Sequence, residues 1–235
     1  MIELSVCRDL RKVPLINHGS KHDKSAQEQR AAVIAQGRFG RRCVCCDFAF
    51  GTTDSFDLHH IDGDHTNNSN ENVAPVCELC HSAFHIDLVS KKWPSNTGKI
   101  IFLPELSQAQ LNNLLQAVFF AMAMQVSSTE KTPVADVHQF HPHTVYRRLM
   151  ERAHQVEMNE QGETVRKGFS DPVVFSRVLL DMSDEEYANR NMLIAGCRFV
   201  PGADYFIQQA GNWAANGASF SRLDLAAWPG VAGLI

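Results

Sequence analysis

Two Cys-x-x-Cys turns, Cys43-Val-Cys-Cys46 and Cys77-Glu-Leu-Cys80, constrain this chain more than any other feature it carries. Each turn presents two thiolates from one tight loop, and two turns supply the four short-range ligands of a tetrahedral zinc. The chain holds seven cysteines, an odd number, and four of them fall in these knuckles. The N-terminus, Met1 to Val6, has neither a basic segment nor a long apolar core, so no secretory signal is expected. In a reducing compartment such a pattern reads as a metal site, with two disulfides or free buried thiols as the alternative. The spacing favours Cys43 with Cys46, and Cys45 is the alternative ligand in that knuckle. Cys7 and Cys197 read as ordinary buried thiols.

The gap between the knuckles is long for a minimal zinc ribbon, and its content is unusual. Asp57-Leu-His-His-Ile61 reads as a strand, Gly63 to Asn72 as an Asn-rich loop, and Val73-Ala-Pro-Val76 as a short edge strand. From Cys77 the pattern predicts a helix through about Ser90. His81 and His85 are four apart on it, so both imidazoles share one face. With His59 as a third ligand they can hold one divalent ion and leave coordination positions open. Asp62 and Asp64 read as turn residues that could add ligands, and His65 as a solvated loop histidine.

This strand–loop–strand–helix order, with the His59-His60 pair, Asn72 before an apolar residue and the helix opened by Cys77-Glu-Leu-Cys80-His81, resembles the ββα-metal module of HNH nucleases. The resemblance implies that His60 is the general base, that His59, His81 and His85 hold a catalytic Mg2+, Mn2+, Ni2+ or Zn2+, and that Asn72 orients the His60 side by hydrogen bonding. The structural zinc would stay with Cys43, Cys46, Cys77 and Cys80.

The remaining chain is read from pattern. A short strand is expected from Ile2 to Val6, then a helix opened by a Ser25–Glu28 capping box and stopped at Gly37. Trp93 to Gly98 reads as a linker-like turn, Lys99 to Pro104 as a strand, and Ser107 to Met124 as a helix with Leu111, Leu114, Leu115, Val118 and Phe119 on one face. A polar loop, Gln125 to His141, precedes a helix with Pro142 in its first turn. Asp171 opens a helix from Pro172 to Asp181, and Ser183 with Glu186 forms another capping box. Phe206, Trp213, Phe220 and Trp228 are expected to pack on the core, a partner-docking surface being the alternative. The fold class is therefore α+β: an HNH-like ββα-metal zinc-knuckle core elaborated by a mostly helical C-terminal half. Residues 1–98 would hold the N-terminal strand and helix with the zinc module (core 38–92), and 99–235 a mostly helical region packed on it, one continuous domain being the alternative.

Charge speaks against a dedicated DNA-binding surface. The formal net charge is −4, and all of that excess falls in residues 100–235. The compact basic cluster is Arg38, Arg41 and Arg42, which could meet phosphate or simply face solvent. No apolar run reaches the roughly 20 residues that span a bilayer.

Lys99-Ile-Ile-Phe-Leu-Pro-Glu-Leu-Ser-Gln-Ala-Gln-Leu111 directly after the two-knuckle module, together with Phe169-Ser-Asp-Pro-Val-Val-Phe175, resembles the DotN (IcmJ) family of type IVB secretion systems. The resemblance runs to about residue 215. It implies a cytoplasmic, zinc-binding subunit or adaptor of a secretion or conjugation coupling complex, brought to the inner membrane by a DotL-like coupling ATPase or another subunit of that apparatus. The full histidine set adds an alternative: an active, metal-dependent endonuclease acting on DNA.

Overall fold

Strand β1 (Asp57–His60) pairs antiparallel with β2 (Val73–Val76), with His59 opposite Ala74 and His60 opposite Val73. This computed structural model describes residues 3–8, 24–35, 37–51, 56–94, 96–127, 141–159, 161–214 and 218–220. Pro75 has no N–H to give a ladder, which suits the edge of a two-stranded sheet. Its carbonyl still accepts, and it takes the Val44 N–H at 3.0 Å. That bond ties the first cysteine knuckle to β2. The knuckle closes on itself through Cys43 N–H to Phe48 O and Asp47 N–H to Cys43 O, both 2.9 Å. Asp47 takes φ +62° to do so, a conformation that Asp tolerates better than most side chains.

The expected continuous helix from Cys77 is two helices, α2 (Glu78–Phe84) and α3 (Ile86–Lys92), broken at His85 with φ −129° and ψ 56°. The cause lies at the other end of the sequence. Ser5 donates its N–H to Ala83 O at 3.1 Å, accepts from Ile86 N–H at 3.1 Å and donates its hydroxyl to Phe84 O at 2.8 Å. The N-terminal segment thus takes backbone groups that an unbroken helix would have used. Residues 3–8 accordingly form no strand, although Leu4 and Val6 are buried.

Helix α1 spans Lys24–Ala35, so Ser25 lies inside its first turn and is not its cap. Strand β3 (Lys99–Phe102) pairs antiparallel with β4 (Cys197–Val200) as a second two-stranded sheet. Gly98 enters it at φ +87°, and a Cβ there would stand 2.2 Å from Val200 O, so only glycine fits. Helix α4 (Gln108–Ser127) runs past the expected end at Met124; residues 128–140 of the expected loop lie outside the described residues. Helix α4 buries residues all round its surface, among them Leu111, Leu115, Val118, Phe119 and Met122. Such a helix belongs in the middle of a core.

Around it stand α5 (Pro142–Glu151), α6 (Ala153–Glu157), α7 (Pro172–Asp181), α8 (Asp184–Ala188), α9 (Arg190–Leu193) and α10 (Ala203–Trp213). Helix α7 begins where Asp171 accepts from Val173 N–H, and α8 carries the Ser183–Glu186 capping box. Phe206 of α10 stacks on Phe119 with ring centres 5.5 Å apart. One hydrophobic core joins Leu4, the four knuckle cysteines, Ile100, Leu115, Phe199 and Phe206. Trp93, expected in a linker-like turn, is buried against Tyr205 and Phe206. Phe206 is 1% exposed and cannot anchor a partner. Trp213 rests on Phe48 and Phe220, while Trp228 lies outside the described residues. Cys197 is buried and Cys7 half-buried. Among the described residues no helix is long and apolar enough to cross a membrane.

Candidate metal centres

The sulfur atoms of Cys43, Cys46, Cys77 and Cys80 lie within 4.8 Å of one another, all buried. Cys77 is also the N-cap of α2, its Sγ accepting from Cys80 N–H at 3.5 Å. Cys45, between the two ligands of the first knuckle, is half-buried and outside this group. Four sulfurs so close cannot all be thiolates without a cation. Hydrogen bonds from Cys45, Cys46, Cys77 and Cys80 drive the Cys43 thiol far below its usual range. Burial first, then the bonds given to Cys43 and Cys46, push Cys77 well above it, and the bond to Cys43 does the same to Cys80. Cys45 is pushed up to about 12, chiefly by its bond to Cys43. Cys43 is thus the readiest of these thiols to give up its proton, and a divalent ion would displace those that Cys77 and Cys80 hold more tightly.

Helix α4 supplies what surrounds the sulfurs. Gln116 donates its amide to Cys77 Sγ at 3.4 Å, with Cys46 Sγ at 3.9 Å, and Asn112 donates to Cys80 Sγ at 3.3 Å. Gln108 donates to Asn112 Oδ1 and to Phe199 O, each at 2.9 Å, and accepts from Phe199 N–H at 2.8 Å. These three amides are at most 2% exposed. Gln108 and Asn112 form a ladder from β4 to Cys80 Sγ, and Gln116 reaches Cys77 Sγ separately, donors of the kind that would stabilise a negatively charged metal–thiolate group. Sequence reading missed them, although their spacing of four along an apolar helix was a visible signal.

The second group is His59, His81 and His85, whose ring nitrogens also lie within 4.8 Å of one another. β1 delivers His59, α2 delivers His81, and the break after α2 turns His85 toward them. His81 Nδ1 pairs with Asp57 Oδ2 at 3.0 Å, a contact that fixes the ring and leaves Nε2 to ligate. Asp57 and Glu78 in turn flank Lys92, at 3.8 and 2.5 Å, and Tyr205 donates to Glu78. Burial opposes the Lys92 charge, but those two carboxylates outweigh it and hold its pKa above the ordinary value. His59 stacks on Phe84 at 4.1 Å between ring centres. Burial, then the neighbouring imidazoles of His81, His60 and His65, lower its pKa to about 3. It is therefore neutral, as a ligand must be, and its buried Nδ1 has no hydrogen-bond partner. The donor set suits a borderline transition ion such as zinc or nickel better than magnesium.

His60 leaves the strand on the other side. Its Nε2 meets Asn68 Oδ1 at 3.0 Å. Asn72 does not touch that ring. It donates to Asp62 Oδ1 at 2.9 Å and to Asn67 O at 2.8 Å, and accepts from Asp62 N–H at 2.9 Å. The register explains this: Asn72 O receives the Ile61 N–H, one step beyond the His60–Val73 pair, so the side chain faces into the loop. Asp62 and Asp64 make turn bonds within residues 62–72 and are outside the histidine group. His65, expected in solvent, has its ring centre 5.0 Å from that of His60 and 5.1 Å from that of His85. The basic cluster is exposed, with Arg42 paired to Asp47 at 2.7 Å and Arg38 donating to Glu71 O.

No protein-family model matches the chain. It is similar to the type 4 apparatus protein DotN of Legionella pneumophila, 30% identical over 190 residues, which are 80% of this chain and 81% of that protein.

Proposed function

The chain belongs to the DotN family, and on that premise we propose that it is a zinc-stapled subunit of a type IV secretion or conjugative transfer apparatus, an adaptor on the coupling ATPase. The observation that carries this is the identity running along four-fifths of both chains. The cysteine centre serves as a staple: with zinc bound it joins the first knuckle, α2 and, through Gln116 and Asn112, the central helix. The subunit would work in the cytoplasm and reach the inner membrane through its partner. The test is co-elution of the purified chain with the soluble region of the coupling ATPase from the same organism. A stable complex supports the reading, and separate elution at micromolar concentrations overturns it.

A second reading, an HNH-type endonuclease acting on DNA, is favoured by the convergence of His59, His81 and His85. A divalent ion bound there would supply Lewis-acid polarisation of a phosphodiester. Asn68 Oδ1 can accept from His60 Nε2, which leaves Nδ1, buried and unpartnered in the structure, as the basic nitrogen that substrate binding would have to open to water. The HNH-like fold of the module belongs to this same reading. Plasmid nicking by the wild-type protein beside His60→Ala decides it. A general base contributes about 10²–10⁴-fold, so the variant should be inactive with its zinc retained. Absence of metal-dependent cleavage by the wild type ends the reading.

A further inference from the structure

The end of the β3–β4 sheet at which Phe102 pairs with Cys197 opens into a hollow of about 800 Å3, bounded by α6, the turn that follows it and α9. Phe102, Val156, Phe169 and Cys197 give it apolar walls. Phe102 is 38% exposed, yet its ring is seated against the backbone of Gly196. A Cβ at Gly196 would stand 2.5 Å from Phe102 Cε2, and Gly196 takes φ +79°, so only glycine lets the ring lie there. Gly196 O accepts from Leu103 N–H at 2.7 Å, which fixes the same approach from the backbone side. Leu193 lines the hollow and is 59% exposed, and its neighbour Met192 is 74% exposed. The apolar surface therefore runs on past the hollow and is wider than a small ligand covers.

We propose that this hollow seats an acidic segment of the coupling ATPase, one that sets a large apolar side chain against Phe102 and a carboxylate against Arg166. The inference rests on the adaptor reading and gives its contact a place. The charge of the rim selects an acid. Arg152 reaches Glu105 at 2.6 Å. Arg166, exposed on the same rim, meets no carboxylate among the described residues; its Nη2 donates to Met158 O at 2.9 Å. The rest of that planar fork is open to a carboxylate, which it can hold with two parallel bonds. Two arginines thus stand beside one glutamate, an uncompensated positive charge in a chain whose net charge is −4. An apolar centre inside a polar rim is the anatomy of a protein interface. An aromatic ring already held in place costs little further ordering when a partner arrives.

The test measures binding of the full chain to the soluble region of that ATPase by calorimetry. Leu193→Asp and Arg166→Glu should each weaken the complex at least about tenfold. Both side chains are exposed, so melting temperature and metal content should not change. Arg166→Glu should weaken binding more than Arg166→Ala, because it sets like charges face to face. Ile61→Asp, at a similarly exposed apolar position beside the histidines, should match wild type. Wild-type affinity in Leu193→Asp and Arg166→Glu, or a loss confined to Ile61→Asp, overturns the proposal and leaves the adaptor reading standing. Equal binding by Arg166→Glu and Arg166→Ala overturns the acidic occupant. A wild-type dimer that Leu193→Asp abolishes gives the face to a second copy of the chain and overturns the proposal as well. If wild type forms no complex with the ATPase, the adaptor reading fails and this inference falls with it.

Discussion

Gln116 on the central helix donates its side-chain amide to the sulfur of Cys77 across 3.4 Å, linking residues 39 positions apart in the sequence. Both are buried. A neutral amide placed against a thiolate stabilises the metal-bound form over the protonated one. A metal ion held by the four cysteines would therefore be coupled to the helical half.

Replacing Gln116 with Leu keeps the volume and removes the donor. We expect faster loss of zinc to a chromogenic chelator and a stability cost of about 1–3 kcal/mol from the weakened sulfur environment. Unchanged chelator kinetics would show that the contact has no bearing on the metal.

Cys77 holds two places, one in the four-sulfur group and one as N-cap of α2. Cys77→Ser keeps a capping oxygen but should lose the zinc and lower the melting temperature sharply, because ion binding is coupled to folding. Elemental analysis and thermal melting check both. Full zinc content in the variant would exclude the four-cysteine centre.

Ser5 should control the break between α2 and α3. Ser5→Pro removes the N–H given to Ala83 O, leaving a buried carbonyl unpaired at about 1–3 kcal/mol. It should also loosen the placement of His85. Reduced thermal stability together with weaker uptake of a second divalent ion is the expected pair of results.

Alkaline pH should destabilise the fold through a half-buried tyrosine, Tyr146. Burial, then the nearby Asp204 carboxylate, raise the Tyr146 pKa from 10.0 to about 12. Its hydroxyl donates to Pro201 O at 2.9 Å. The folded state keeps the proton longer than the unfolded chain, so this contribution is intact below pH 10 and is lost as pH rises through about 12. Tyr146→Phe should lose less stability than wild type across that window in melting curves taken at stepped pH.

Several elements were legible in the residues alone. The four cysteines, the His59–His81–His85 set, the helix from Pro172 to Asp181 with its Asp171 cap and the Ser183–Glu186 box all follow from spacing and local hydrogen bonding. These are interactions among near neighbours or motifs whose chemistry demands convergence, and a one-dimensional pattern carries them. Other features depend on which distant segments meet. Ser5 breaks the helix at His85, Asn112 and Gln116 reach the cysteine sulfurs, and Asn72 clamps its loop and leaves His60 to Asn68. A side chain's own sequence neighbourhood cannot specify a partner brought close only when the whole chain packs. The sequence by itself therefore determined which atoms could bind metal, and the tertiary structure decided which other groups surround them.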